Sequence, residues 1–244
     1  MMTVVIDKDK VASAFDRAAM TYDSVADIQQ LSADHLIKMV GSCAKSINSI
    51  LDIGCGTGSV AAKLHKNYPQ ASFDLCDISQ NMLDVAQTKI SSKTNLICAD
   101  AEFYNFSNHY DLCISNLCVQ WFESIEEFLK KISKSCSMFA FSTLIDSSFS
   151  QYKNCFEIPP TFRYQTAKEL LSICKSMNCV TLYDIKTFNK EFENMFAVRR
   201  YFSKLGANVK SQEIIKLKSD IDLDAPIAMN YDIFFGCLEF DRDS

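Results

Sequence analysis

Short apolar runs alternate with amphipathic segments along residues 46–143 of this 244-residue chain. The runs have the length of buried strands, and the segments between them carry apolar residues at helical spacing. Strands that alternate with helices in this way predict an α/β fold, in which a parallel sheet carries helices on both faces. The predicted strands cover residues 47–53, 71–76, 94–98, 110–115 and 137–143.

Two helices are predicted ahead of the first strand. Residues 9–20 place their apolar side chains on one face, and residues 28–40 repeat this pattern. Because both helices precede the sheet, they either lie beyond its strand ends or cover one of its faces. The segment from Phe15 to Tyr22 allows two interpretations, an amphipathic helix with a frayed end or a cover over a ligand site.

The pattern changes after residue 144. An aromatic, helix-like stretch follows Phe149 and ends at Pro159 and Pro160. Further elements predicted by periodicity are a helix over residues 166–176, a strand over 180–187 and a final strand over 229–240. Residues 190–228 lie between those two strands and carry apolar residues at helical spacing. We interpret them as a helical lid inserted before the last strand.

Composition excludes several classes of protein. With 48% hydrophobic residues the chain can bury a core, yet no apolar run approaches the roughly 20 residues of a membrane span, and no basic region opens the chain. The formal charge of −5 argues against general nucleic-acid binding. We therefore expect a soluble protein that binds neither membranes nor nucleic acid.

Eleven cysteines raise the question of disulfides or a metal centre. Their number is odd and no C-x-x-C occurs. Cys76, Cys98 and Cys113 lie inside apolar strand-like runs, where a free thiol behaves as a small core residue. We expect no metal site and a reducing, cytoplasmic environment.

The most informative stretch is the turn between the first predicted strand and the helix that follows it. Here Gly54, Gly56 and Gly58 stand at alternate positions, with Asp52 two residues ahead. Glycines permit the positive φ values and close backbone approach that such a turn needs, and bare N–H groups at a helix start can dock a polar or anionic group. The spacing differs from the G-x-G-x-x-G of dinucleotide-binding folds, and no Lys-Ser/Thr pair indicates a P-loop.

Residues just past the predicted strands are the next candidates, because ligands of doubly wound sheets settle outside the carboxyl ends of the strands. Asp77 can accept both ribose hydroxyls of an adenosine. Asp100 can accept from an adenine amino group while Ala101 donates a backbone N–H. The alternative for either acid is a solvated side chain in an ordinary loop. The predicted cofactor-binding residues are Asp52, Gly54, Cys55, Gly56, Asp77, Ile78, Met82, Asp100, Ala101 and Asn116.

The segment from Ser115 to Trp121 reads Ser-Asn-Leu-Cys-Val-Gln-Trp and contains the only tryptophan of the chain. It places the amide of Asn116 at a strand end, where side-chain and backbone groups can line a reactive centre. The alternative is that Trp121 fills the core, which is compatible with a functional Asn116 beside it.

Positive charge is concentrated in residues 186–218, which hold eight Lys or Arg residues against three Glu. This stretch carries a net charge of +5 and leaves −10 for the rest of the chain. Such asymmetry can steer an acidic partner. The alternative is an ordinary solvated helical face.

The D-x-G-x-G-x-G turn, with Asp77 at the end of the next strand, resembles the class I S-adenosylmethionine-dependent methyltransferases. Further motifs narrow the resemblance to the malonyl-acyl-carrier-protein O-methyltransferases of biotin synthesis. These motifs are Phe15-x-Arg17-Ala18-Ala19-x-x-Tyr22, Gln30-x-Ser32-Ala33-Asp34, Leu51-Asp52-x-Gly54-Cys55-Gly56, Ser115-Asn116-Leu117-x-Val119-Gln120-Trp121, Phe141-x-Thr143-Leu144, Leu205-Gly206-Ala207 and Tyr231-x-x-Phe234-x-Gly236. Asp146-Ser147-Ser148 and residues 208–227 match this family poorly.

The resemblance implies that S-adenosylmethionine is the cofactor, released as S-adenosylhomocysteine, and that the acceptor is the free carboxylate of a malonyl group on acyl-carrier protein. Arg163 and Arg200 fall where the family also has arginines, whose guanidinium groups can hold a carboxylate bidentately. Tyr22 is expected to help close the crevice. No general base is required, since a carboxylate is ionised at neutral pH. The carrier protein is expected to dock on the basic residues 186–218.

The expected organisation is one methyltransferase domain over residues 1–244. It consists of an N-terminal helical cover (1–45), a cofactor-binding core (46–146) and substrate-side insertions (147–178 and 190–228).

Other functions stay open at this point. A methyltransferase acting on another small carboxylic acid or a quinone precursor would share these motifs. A methyltransferase-fold protein without catalysis would serve as a binding or assembly factor, although the intact Gly54, Gly56, Asp77 and Asn116 weigh against it. An NAD oxidoreductase is disfavoured because Gly58 falls one residue early for that fingerprint.

Overall fold

The computed structural model describes residues 6–43, 46–90, 94–157, 164–177, 179–207, 216–219 and 221–240. The helices are α1 (Lys8–Tyr22), α2 (Asp27–Cys43), α3 (Ser59–Asn67), α4 (Gln80–Gln87), α5 (Ile125–Ile132), α6 (Ser150–Asn154), α7 (Ala167–Ser176) and α8 (Met195–Leu205), with a 3₁₀ turn at Val119–Trp121. The strands are β1 (Ser49–Ile53), β2 (Ser72–Asp77), β3 (Thr94–Cys98), β4 (Leu112–Asn116), β5 (Met138–Leu144), β6 (Phe156–Glu157), β7 (Val180–Phe192), β8 (Lys216–Leu217) and β9 (Ile227–Glu239).

Seven strands form one sheet in the order β3-β2-β1-β4-β5-β9-β7. The first five pair in parallel, β9 runs antiparallel to β5, and β7 runs antiparallel to β9. The strand order reverses between β1 and β4, where open α/β sheets place their ligand crevice. The predicted α/β fold is confirmed, and the bounds of the five parallel strands differ from the predicted ones by at most two residues.

Helices cover both faces of the sheet, because the strands place apolar side chains on each face and so form two hydrophobic cores. Along β1, Ile50 belongs to one core, whereas Leu51 and Ile53 belong to the other, as the alternation of side chains along a strand requires. The first core is shared with α2, α3 and α4, and the second with α5 and α7. No helix in the described ranges is long and apolar enough to cross a membrane.

Helix α1 packs on α4 and α8 instead of on the sheet. Its Asp16 accepts a hydrogen bond from the Ser79 hydroxyl at 2.5 Å, directly before α4 begins. At its other side, Gly206 ends α8 with a φ of +72°, and a Cβ there would lie 2.9 Å from the Ala14 carbonyl oxygen. The two predicted N-terminal helices therefore separate, since α2 covers a sheet face and α1 lies over the carboxyl ends of the strands.

Strand β7 is longer than predicted. It continues to Phe192, so residues 190–192 belong to the sheet and not to a helical lid. β7 pairs with β9 along its length, and it is the outermost strand of the sheet. An edge strand keeps one side in solvent and tolerates charged residues such as Lys190 and Glu191, so its composition resembles that of a loop.

Candidate functional site

Two adjoining crevices open at the carboxyl end of the sheet. The larger encloses about 660 Å³ of empty space and the smaller about 360 Å³, both including solvent at their open mouths. Both are lined by Tyr22, Gly54, Gly56 and Asn116, so they are two compartments of one site. The larger compartment continues along the residues that follow β2 and β3, and the smaller one along α2 and the start of α3.

The glycine turn forms the shared floor of the two compartments. Gly54, Gly56 and Gly58 have φ values of +65°, +53° and +76°. A Cβ at Gly54 would lie only 2.2 Å from the Cys118 sulfur, so the turn and the segment after β4 touch here. A Cβ at Gly56 would meet no atom within 4 Å. The turn therefore presents bare backbone to the crevice at Gly56, as a ligand cradle requires.

Asp77, at the end of β2, is tied to this turn. Its carboxylate accepts hydrogen bonds from the backbone N–H groups of Gly56 at 2.8 Å and of Ser79 at 2.9 Å. Burial raises the pKa of Asp77 to about 6, although these two hydrogen bonds oppose the rise and the nearby charge of Asp16 adds to it. A carboxylate offers about four acceptor positions, so Asp77 retains capacity for ligand hydroxyls.

Past β3, Asp100 and Ala101 line the larger compartment, as predicted. Lys8 from α1 reaches the same wall and forms ion pairs with Glu102 at 2.8 Å and with Asp100 at 3.3 Å. Glu102 also accepts the backbone N–H groups of Glu123 and Ser124, which precede α5. Lys8 could not be predicted as part of the site, since a lysine near a helix start is common and its partners lie more than 90 residues away.

Asn116 is held rigidly where the two compartments meet. Its side-chain oxygen accepts from the hydroxyls of Ser32 at 2.7 Å and Ser142 at 2.8 Å, and its amide nitrogen donates to the Gln29 carbonyl at 3.1 Å. The next residue, Leu117, has a φ of +52°, which a branched side chain rarely adopts. Backbone strain of this kind clusters at ligand sites and requires support from its surroundings.

Aromatic side chains close the larger compartment. Trp121 is half-buried and lines the crevice, with its ring edge-on to Phe15 of α1 at 5.9 Å between centroids. It therefore does not fill the core, which was the alternative interpretation of the sequence. Helix α1 continues to Tyr22 without fraying, and Tyr22 faces both compartments.

Two predicted cofactor-binding residues do not line either compartment. Met82 is fully buried against Ala18 and Ala19 and packs α4 on α1. Asp52 is 1% exposed, and neither of its carboxylate oxygens has a hydrogen-bond partner among the described residues. Burial raises the pKa of Asp52 to about 7, and the nearby charge of Asp77 adds to the rise. The other eight predicted residues line at least one compartment.

The two predicted substrate arginines are not brought into the crevice by the described structure. Arg163 lies outside the described residues. Arg200 is exposed on α8 and lines neither compartment. Its role as a carboxylate clamp stays a prediction.

The site fits a nucleoside with a polar tail. The backbone of Gly56 is exposed to the crevice, and Asp77 offers acceptors for sugar hydroxyls. The wall past β3 combines Asp100 with apolar surface.

A family model described as a methyltransferase domain matches residues 50–137. The N-methyltransferase NodS from Bradyrhizobium japonicum WM9, solved with S-adenosylhomocysteine, shares the fold, with a TM-score of 0.59 and 12% identity over 95% of this chain and 99% of that chain. The fold and the arrangement of the site are those of the class I methyltransferases.

Two relatives of similar length place the chain in one family within this class. The malonyl-acyl-carrier-protein O-methyltransferase of Acetivibrio thermocellus is 31% identical over 231 residues, which cover 86% of this chain and 82% of that protein. A protein of the same name from Ilyobacter polytropus is 31% identical over 214 residues, or 84% of this chain and 80% of that protein. The chain belongs to the malonyl-acyl-carrier-protein O-methyltransferase family. The resemblance stated from the sequence motifs is confirmed.

Proposed function

We propose that this protein transfers the methyl group of S-adenosylmethionine to the free carboxylate of a malonyl group on acyl-carrier protein. The methyl ester would then serve as the primer from which the pimeloyl chain of biotin is made. The observation that carries this proposal is the extent of the similarity, since 31% identity reaches well beyond the cofactor-binding core in relatives named for this reaction. A different acceptor is not favoured by any of these relatives.

The acceptor needs little proton chemistry from the protein. Free carboxyl groups titrate near about 4, so a malonyl carboxylate is already ionised and nucleophilic at neutral pH. When bound, S-adenosylmethionine supplies an electrophilic methyl group. The chain has to orient the carboxylate and exclude water, and well-aligned reactants gain up to roughly 7–11 kcal/mol of barrier lowering from orientation.

We assign the cofactor to the residues that meet at the glycine turn. Gly54, Cys55 and Gly56 would cradle the methionine part. Asp77, with Ile78 beside it, would hold the ribose, and Asp100 with Ala101 would face the adenine. Asn116 would fix the wall next to the reacting groups, since three hydrogen bonds hold its amide in place. Asp52 and Met82 would support these residues from behind, because both are buried outside the crevice.

Tyr22 is proposed to close the site over the reacting groups. It lies at the end of α1 and faces both compartments. Burial, followed by the charge of Asp77, raises the pKa of Tyr22, so its hydroxyl keeps its proton at neutral pH. Arg163 and Arg200 remain the proposed orienting groups for the acceptor carboxylate. The exposed position of Arg200 also suits a contact with the carrier protein.

The carrier protein is proposed to dock on the basic segment 186–218. Helix α8 gives this segment an ordered face, because Phe196, Arg199, Arg200 and Lys204 recur at helical spacing and all are exposed. Lys190 is less available, since it pairs with Asp27 at 2.5 Å. The cations Arg199, Arg200 and Lys204 lie on the same helix as Phe196, whose side chain is 49% exposed. This combination suits an acidic partner that also offers an apolar contact.

In this proposal the chain works as one domain, in which residues 1–45 cover the core 46–146 and the segments 147–178 and 193–226 face the acceptor, since residues 190–192 and 227–228 belong to β7 and β9. A cytoplasmic location is supported by its cysteines. All eleven are free thiols in the described structure, and such thiols persist in a reducing compartment.

The test is a methyl-transfer assay on purified protein. Malonyl-acyl-carrier protein and methyl-labelled S-adenosylmethionine should give labelled carrier whose label is released by mild base, as a methyl ester requires. Acetyl-carrier protein should stay unlabelled, because it has no free carboxylate. Absence of label on the malonyl carrier, with S-adenosylmethionine bound by the enzyme, would contradict the proposal and favour another acceptor.

A further inference from the structure

Strand β7 forms the outer edge of the seven-stranded sheet. It spans the thirteen residues Val180–Phe192, pairs with β9 along one side, and meets no further strand of the described ranges along the other. Leu182, Tyr183 and Ile185 on this strand are 36%, 49% and 43% exposed. A long edge strand with exposed apolar side chains is a template for pairing with another strand.

The backbone groups that point away from β9 belong to the odd-numbered residues of β7. Asp232 of β9 directs its own groups toward β5, since its C=O accepts from the N–H of Ile145 at 3.0 Å. Thr187 lies opposite Asp232, and directly opposed residues of an antiparallel pair point either toward each other or away from each other. The N–H and C=O groups of Thr187, Ile185 and Tyr183 therefore face outward, and none of them bonds to the backbone of another described segment.

The side chains along this edge are complementary to a second copy of themselves. Asp184 and Lys186 flank Ile185. A two-fold axis through Ile185 places the two copies of this residue opposite each other, Tyr183 opposite Thr187, and Asp184 opposite Lys186. The outward-facing residues then form hydrogen-bonded pairs, and Asp184 and Lys186 take the closer spacing of a non-hydrogen-bonded pair. Opposite charges at this spacing stabilise two antiparallel strands.

Neighbouring two-fold registers lose this match. Only an axis through an odd-numbered residue brings outward-facing backbone groups opposite each other. An axis through Thr187 places Asp184 opposite Lys190, which already forms an ion pair within its own chain. An axis through Tyr183 places Asp184 opposite the apolar Leu182. The charges of the strand therefore select the register centred on Ile185.

We propose that two copies of this chain associate through β7, pairing antiparallel about Ile185 so that their sheets become continuous. In the single chain Asp184 accepts the N–H of Ile185 at 2.8 Å and lies 2.9 Å from His35. On association that N–H passes to the C=O of Ile185 of the second copy, and Asp184 turns to Lys186 of the second copy. The inference is independent of the proposed function, because β5 and β9 separate β7 from the strands that hold the crevices.

Sedimentation equilibrium of the full chain tests this association. Wild type should show a monomer–dimer equilibrium, with a dimer fraction that rises with protein concentration. Asp184→Lys places a lysine opposite Lys186, and Lys186→Asp places an aspartate opposite Asp184, so each variant alone should raise the dimer dissociation constant about tenfold or more. An equal mixture of the two variants restores opposite charges across both pairs and should associate nearly as tightly as wild type. Asp84→Lys, on the exposed side of α4, is the matched control and should leave the constant unchanged.

A wild-type chain that stays monomeric at every concentration would overturn the inference. A dimer that both charge variants leave unchanged would also overturn it, because the interface would then lie elsewhere, and so would a mixture that associates no better than either variant alone. Ile185→Pro gives an independent measurement. Proline is tolerated where the N–H of an edge strand faces outward, so this variant should stay folded by circular dichroism and lose the dimer. A folded Ile185→Pro protein that still forms the wild-type dimer would contradict pairing through β7.

Discussion

Asp77 and Gly56 are joined by a hydrogen bond of 2.8 Å, in which the backbone N–H at the tip of the glycine turn donates to the carboxylate at the end of β2. Two neighbouring strands thereby fix each other's loops before any ligand arrives. The carboxylate is oriented by this bond and by the second one from Ser79 at 2.9 Å. A preorganised acceptor loses less conformational entropy when it binds the sugar hydroxyls of the cofactor.

Asp77→Ala should therefore weaken S-adenosylmethionine binding strongly. Two hydrogen bonds to an ionised acceptor are lost, and the Gly56 N–H loses its partner, so we expect the Kd to rise about 100-fold or more. Calorimetry on the purified variant measures this directly. Asp84→Ala is the matched control, since Asp84 is exposed on the neighbouring helix α4 and should keep the wild-type Kd. Equal Kd values for Asp77→Ala and wild type would contradict the ribose assignment.

Alanine substitutions at Gly41, Gly56 and Gly54 should change the stability of the fold by different amounts. Gly41 lies within α2, and a Cβ added there would have no atom within 4 Å. Because glycine in a helix costs more conformational entropy than alanine, Gly41→Ala should stabilise the fold by about 0.5–1 kcal/mol. Gly56→Ala meets no atom but forces alanine to a φ of +53°, which should cost about 1–2 kcal/mol and place a methyl group in the cofactor cradle. Gly54→Ala adds a clash, because its Cβ would lie 2.5 Å from the Cβ of Cys118.

Urea unfolding of the three glycine variants measures this order. Gly41→Ala should be the most stable and Gly54→Ala the least. Only the two variants in the turn should lose cofactor affinity, and Gly41→Ala is the control for the addition of a methyl group as such. A Gly54→Ala protein as stable as Gly56→Ala would show that the segment after β4 can move away from the turn.

The glycine turn and Asp77 were predictable because their chemistry is local. Positive φ values demand glycine, and the acid follows the next apolar strand at a fixed place in the fold, so a short window of sequence carries the information. The strands β1, β2, β4 and β5 were predictable for a similar reason, since most of their residues are buried and they form apolar runs, whereas β3 at the sheet edge is only partly buried.

Other features depend on packing between distant segments. Lys8 reaches Glu102, 94 residues away, and nothing near Lys8 in the sequence signals it. Tyr201 and Tyr231 look like ordinary apolar positions of a helix and a strand, and only the fold shows that both side chains are buried next to each other. The end of β7 was missed because edge strands carry polar residues, as its Lys190 and Glu191 show.

The pKa of about 7 for Asp52 predicts how stability varies with pH. Its ordinary value is 3.8, so between about pH 4 and 7 the folded protein holds a proton at Asp52 that the unfolded chain has lost. The free energy of unfolding should therefore fall as the pH rises through this window. At pH 8 the buried charge of Asp52 lowers the free energy of unfolding by up to about 4 kcal/mol relative to its value at low pH, where Asp52 is protonated.

Asp52→Asn removes this titration and should raise the free energy of unfolding at pH 8 while changing it little at pH 4.5. Urea unfolding at half-unit steps of pH measures the difference between variant and wild type. Asp84→Asn is the control, because an exposed carboxyl should leave the curve unchanged. Parallel curves for Asp52→Asn and wild type would contradict the assignment, and the pH dependence would then have to come from another group such as Asp77.

Charge reversal on α8 should separate two possible roles of its basic face. If the carrier protein docks there, Arg199→Glu combined with Lys204→Glu should raise the KM for malonyl-acyl-carrier protein about tenfold or more. The KM for malonyl-pantetheine, which has no carrier, should change little. The wild-type KM for the carrier should rise with salt, because exposed charges are screened over about 10 Å at 0.1 M ionic strength. Lys66→Glu on the exposed side of α3 is the matched control for a charge reversal elsewhere.

Arg200→Ala distinguishes docking from carboxylate binding at a single residue. A docking role predicts a higher KM for the malonyl carrier and an unchanged KM for malonyl-pantetheine, since only the former meets the outer face of α8. A clamp on the carboxylate predicts the same loss with both substrates, because both present the same acyl group, and an unchanged Kd for S-adenosylmethionine in each case. The exposed position of Arg200, outside both compartments, favours the first outcome. Equal losses with both substrates would instead require Arg200 to reach the acceptor when it binds, and would leave Arg199 and Lys204 as the docking residues.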